Sequence, residues 1–147
     1  MQIEAELKCK ELHQIIESRR LYQLKQFAIH RGFLTPQLRA LAYAYLFDID
    51  MSAELDKLAS IRPADIQAVE TKCGNVIEAD ITRSIGGSEA MAHKSESERQ
   101  AYCASLKRGL LQFFALHPKY NYYQGFNAVA GVFVLAYGET RGIMYLG

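Results

Sequence analysis

The chain has 147 residues, half of them hydrophobic and 22% charged. That is enough for one domain with its own core and too few for two comfortable ones. Its 17 basic and 16 acidic residues leave a net charge of +1, so charge gives no ground for nucleic acid or an anionic membrane as partner.

The opening MQIEAELKCKELHQ lacks the apolar run of a signal peptide. Ile3, Leu7, Leu12, Ile15 and Ile16 then recur at roughly helical spacing. A second stripe, Leu21, Leu24, Phe27 and Ala28, ends near Gly32. In LTPQLRALAYAYLF, Thr35 is the expected N-cap and Pro36 the first helical residue, where its missing N–H costs nothing. Leu38, Leu41, Ala42 and Tyr45 are expected to face inward. SAELDKLAS reads as a short helix capped by Ser52. The next helix starts at Pro63, with a break or kink at Gly74.

Gly86, Gly87 and the Ser/Glu/Ala/His run after them read as the least structured linker. Ser95 with Glu98 forms a capping box that opens a helix to about Leu116, stopped by Pro118. The last helix begins near Gly125 and fades at Gly138. Its longest apolar run, Ala128 to Tyr137, is ten residues and too short to cross a bilayer. With no alternating strand pattern and no internal repeat, the expected class is all-α.

Most local chemistry is weak. Asp48 and Asp50 stand at the first and third positions of a calcium loop, but Ala53 and Ala59 occupy its glycine and glutamate positions, so a helix linker is expected. Gly86–Gly87 lies in no P-loop. His13, His30, His93 and His117 are scattered without metal spacing and read as surface histidines, so no metal site is expected. Cys9, Cys73 and Cys103 are odd in number and far apart, which fits thiols in a reducing compartment. Tyr120, Tyr122 and Tyr123 could stack bases, but only Lys119 and the more distant Lys107 and Arg108 accompany them.

Two stretches carry more. In VIEADITRSI, Ile77, Asp80 and Arg83 follow one helix face, and the two charged groups at i, i+3 can touch. Its plain alternative is a surface ion pair worth under about 1 kcal/mol. In NYYQGFNA, Tyr122, Gln124 and Asn127 surround Gly125 at the mouth of an apolar helix. There the plain alternative is that Gln124 is a polar helix cap.

Taken together, I-x-x-D-x-x-R and, some forty residues later, Y-x-Q-G resemble the TBC domain of Rab GTPase-activating proteins. Ile77, Asp80 and Arg83 match the first motif; Tyr122, Gln124 and Gly125 match the second, with Asn127 also in place. Gly32, Pro36, Leu38 and Arg39 match the N-terminal signature, with Tyr43 where a tryptophan is usual, and Ala128 stands where an aspartate is common. The spelling YYQGFN…VFVLAYGETRG looks most like the branch associated with early secretory traffic. The resemblance covers roughly residues 20–140 and implies a single, partial multi-helix TBC-like domain over 1–147, its C-terminal helical half lying outside the chain.

The resemblance implies an activator of GTP hydrolysis by a Rab-family GTPase, with no substrate or cofactor of its own, since GTP and magnesium belong to the GTPase. Arg83 would be the arginine finger and Gln124 the glutamine finger. Ile77, Asp80, Tyr122, Gly125, Asn127 and Arg39 would support them. An arginine supplied in trans stabilises the transferring phosphoryl group and is worth about 10³–10⁵ in rate. An amide that both donates and accepts can hold the attacking water. The expected location is cytoplasmic, peripheral to endomembranes. A rival reading is a non-catalytic Rab-binding or helical interaction module, with self-association through an uncovered apolar face drawn from Val129, Val132, Phe133, Leu135 and Ala136.

Overall fold

A computed structural model describes residues 2–32 and 35–146. All their regular structure is helical, with no strand among the described residues. The backbone forms two compact units, residues 1–51 and 52–147.

The first unit packs α1 (Gln2–Glu17) against α2 (Leu21–Arg31) and α3 (Pro36–Leu46). Its core is Leu12, Ile15, Leu24, Phe27, Leu38 and Ala42, so the two N-terminal stripes are buried in part. Thr35 caps α3 by accepting from the Leu38 N–H at 3.3 Å, with Pro36 in the first turn. Leu41, expected inside, is 47% exposed. Leu38 and Ala42, one turn apart, fill the contact with α1, and Leu41 falls on the flank. Leu7 and Leu21 are 61% and 42% exposed. Ile3 lies among residues whose side chains fall outside the described set.

The second unit is built around α8 (Glu96–Leu116). Against it lie α5 (Pro63–Val69), α6 (Asn75–Ile85), α9 (Phe126–Tyr137) and α10 (Glu139–Met144), and α4 (Met51–Ala59) adds Leu58 to the edge of the shared core. Ile77 and Ile81 of α6, Leu106, Leu110 and Phe114 of α8, and Ala130 and Val134 of α9 share one core. The helix α4 starts at Met51, so Ser52 lies inside the first turn instead of before it. Gly74 does not break the helix, since its backbone stays right-handed helical. Residues Glu70–Gly74 form a π turn that joins α5 to α6 within one continuous helix. The inserted residue rotates α6 relative to α5 and lets both face α8. Lys107 of α8 pins the turn by pairing with Glu70 at 2.9 Å and Glu78 at 2.8 Å.

The segment after Gly87 is more ordered than its composition suggests. Helix α7 (Glu89–Ala92) forms there, Met91 is buried, and Arg99 donates to the carbonyls of Met91 and Ala92 at 3.1 Å each. The capping box of α8 is present: Ser95 Oγ accepts from the Glu98 N–H at 3.3 Å, and the Glu98 carboxylate accepts from the Ser95 N–H at 2.8 Å. The bond from the Ser95 N–H, with those from the Ser95 hydroxyl and Lys94, holds the Glu98 carboxyl down at about 2.

The chain also continues past Gly138 into α10, which turns back onto α9 and α8. A Cβ on Gly142 would lie 2.8 Å from the backbone of Phe133 and Val134, and backbone cannot step aside as a side chain can. Gly142→Ala should therefore destabilise the protein by about 1–3 kcal/mol, read as a lower denaturant midpoint. Wild-type stability in that variant would mean that α10 does not pack as described. No helix among the described residues is long and apolar enough to cross a membrane.

Candidate functional site

On α6, Ile77, Asp80, Ile81 and Ser84 fall at i, i+3, i+4 and i+7, one stripe of the helix. Ile77 and Ile81 enter the core. Asp80 sits between them only 5% exposed, a position where a carboxylate needs partners for both oxygens. Oδ1 accepts from the Arg83 guanidinium, and Oδ2 accepts from the Tyr122 hydroxyl at 2.8 Å. The Asp80–Arg83 pair is thus anchored inside the protein at the acid end, while the arginine side chain is 66% exposed. The plain reading as a surface pair does not hold.

Tyr122 comes from the loop between α8 and α9. Its ring stands edge-on to Phe114, with centroids 5.9 Å apart. Burial, and then the bond to Asp80, push its phenol well above the ordinary range, so it stays protonated and donates. Its oxygen lies 3.4 Å from Asn127 Oδ1. Asn127, in the first turn of α9, is 3% exposed and donates from Nδ2 to Ser84 Oγ at 3.0 Å. Asp80 and Asn127 are the buried polar side chains among the described residues, and both belong to this one circuit.

The loop itself is held at several points. Tyr120 stacks on Phe113 and His117; Asn121 Oδ1 accepts from Lys72 Nζ at 2.7 Å; Tyr123 packs on Phe126. Gly125 has φ +95° and is the N-cap of α9, a backbone state in which any Cβ is strained. The space beside it is open, so the glycine serves both the turn and free approach. Gln124 precedes it, exposed, and its amide makes no hydrogen bond among the described residues. It is not a cap, because no side chain caps α9. Its loop neighbours Tyr122 and Tyr123 are held while its own amide stays unbonded.

The structure thus brings Ile77, Asp80, Arg83, Tyr122 and Asn127 together by contact, and carries Gln124 and Gly125 on the same anchored loop. Arg39 is exposed on α3 in the other unit. Gly32 has φ +64°, Leu38 is buried, and Tyr43 stacks on Phe47 at 5.7 Å. Ala128 is exposed, so nothing in the circuit depends on an acid there. Sequence reasoning missed Ser84 and Lys72. Ser84 could have been found as the i+7 member of the α6 stripe; Lys72 has no local signal, since its partner is 49 residues away.

Beside the circuit a groove of about 700 Å³ runs between the π turn and the end of α8, lined by Val69, Cys73, Val76, Phe114, Pro118 and Tyr122. Burial raises the Cys73 thiol, which keeps it protonated. No protein-family model matches the chain, and no curated protein matches it.

Proposed function

We propose that this chain is a GTPase-activating protein of the TBC type, which accelerates GTP hydrolysis on a Rab-family GTPase with Arg83 and Gln124 as its in-trans fingers. One observation carries the reading. Asp80 and Asn127, the buried polar side chains among the described residues, serve to hold one exposed guanidinium and one loop whose exposed amide is unbonded. Burying polar groups costs stability unless they are fully paired. A surface arginine or glutamine with no task would not require it.

The guanidinium would meet the charge that develops on the transferring phosphoryl group, and the amide would orient the attacking water. GTP and magnesium arrive with the GTPase. The action is at the cytoplasmic face of endomembranes, with the early secretory pathway the favoured setting. The test is single-turnover GTP hydrolysis by a panel of Rab proteins with and without this chain. Acceleration of one or a few members supports the reading, and none across the panel overturns it.

A second reading, a binding module without catalysis, draws on α9. Val129, Val132 and Leu135 are 48%, 65% and 45% exposed, and Ala128 and Ala136 beside them are exposed as well; Phe133, also expected on this face, is half-buried against Tyr137 and Tyr145. An apolar face of that kind favours association. Self-association at micromolar concentration, with binding of a hydrophobic dye that Val132→Glu diminishes, is the expected result in analytical ultracentrifugation and fluorescence. A sharply monomeric species without dye binding would remove this face from consideration.

A further inference from the structure

Ser84 belongs to neither motif, yet it closes the circuit. Its Oγ accepts from Asn127 Nδ2 at 3.0 Å and donates to the Ile81 carbonyl at 2.9 Å, so the hydroxyl is fixed from both sides. Asp80 and Ser84 lie four residues apart on α6, one above the other on the same face. Each receives one end of the segment that carries Gln124: Tyr122 docks on Asp80, and Asn127 docks on Ser84. Gln124 and Gly125 lie between those two anchors. Gly125 has φ +95° and no Cβ to restrict it, so the segment needs a tie on each side to keep a single path. Arg83 is adjacent to Ser84 on the same turn, and the α6 end of each tie is therefore also the base of the guanidinium.

We infer that Ser84 is a positioning residue for Gln124, its hydroxyl holding Asn127 and so fixing the path of the Gln124–Gly125 backbone relative to Arg83. The inference rests on the proposed GTPase-activating role for its catalytic consequence, and on the geometry alone for its structural one. Ser84 does not touch nucleotide or water in this scheme. It acts through Asn127.

The test is a double-mutant cycle in single-turnover hydrolysis by a Rab that the wild-type chain stimulates, with the isolated protein followed by NMR. Ser84→Ala should lower the maximal stimulated rate about tenfold, the effect of one lost hydrogen bond on an oriented group, with half-saturation changed less than about twofold. Ser84→Thr, which keeps the hydroxyl, should recover most of the rate. In a Gln124→Ala background, Ser84→Ala should cost little more, because a residue that acts only through Gln124 has nothing left to aim. Equal losses in both backgrounds would mean that Ser84 acts on general stability, and the inference would fall while the proposed function stood.

In the protein alone, amide order parameters at residues 123–126 should drop in Ser84→Ala, with those of α8 unchanged. Unchanged order in that segment overturns the inference whatever the rates do. A wild-type chain that stimulates no Rab overturns the proposed function and the catalytic consequence with it, and the order parameters then decide the structural tie by themselves.

Discussion

Arg83→Ala should remove the acceleration of GTP hydrolysis, a fall of about 10³-fold or more at saturating chain, while the protein still folds. The guanidinium is 66% exposed and its bonding is to Asp80, so little packing is lost with it. What is left behind is a buried carboxylate that keeps the Tyr122 hydroxyl and loses its counter-charge. With one partner retained and the lost one on the solvent side, the cost should be roughly 1–2 kcal/mol, within the margin of an ordinary domain. A melt measured beside the kinetics separates the two effects. Arg83→Lys should restore the charge pair with Asp80 but little of the rate, because an ammonium cannot present the planar fork that reaches two phosphate oxygens. Near wild-type stimulation by Arg83→Ala would show that the finger has been misassigned. Asp80→Ala should behave differently: it strips partners from both Tyr122 and Arg83, and stability and rate should fall together.

That contrast depends on Asp80 being buried, which the i, i+3 spacing of the ion pair does not show and the inward stripe of α6 does. The i, i+3 relation of Asp80 and Arg83 was readable, and so was the helix that carries them, because both follow from a 3.6-residue period. Burial of Asp80 follows from Ile77 and Ile81 flanking it on the inward stripe, so it too was present in the pattern. The bond from Tyr122 to Asp80 spans 42 residues, and no local rule reaches that far; only resemblance to a family joined the two motifs in advance.

The same boundary separates the helices. The ends of α3 and α8 were legible because Thr35 with Pro36, and Ser95 with Glu98, are capping chemistry written in adjacent residues. The helices α7 and α10 were not. They are four and six residues long, too short for a period to declare itself, and tertiary contacts hold them. At Gly74 the sequence suggests a break or kink where the backbone has a π turn, since a glycine and a phase shift look alike in sequence. Lys107, arriving from α8, pairs across that turn, a contact no local pattern announces.

The Gln124 assignment makes the sharper demand, because an exposed, unbonded amide shows its role only in what its removal does to the rate. In many GTPases the attacking water is oriented by a glutamine of the GTPase itself, and the activating protein contributes its arginine alone. If this chain supplies the amide, the GTPase's own glutamine becomes partly dispensable. A responding Rab in which that glutamine is changed to alanine or leucine should still be stimulated by the wild-type chain to within about tenfold of the normal rate, the scale of a single neutral hydrogen bond. The same altered Rab should go unstimulated by Gln124→Ala, a loss of about 10²-fold or more, typical of removing a group aimed at the reacting atoms. Stability should be untouched, since Gln124 is exposed and unbonded; that makes it a cleaner probe than Arg83, whose removal disturbs a buried acid. Should stimulation require the Rab's glutamine and survive the loss of Gln124, the amide would have no part in the chemistry, and Arg83 would act without it.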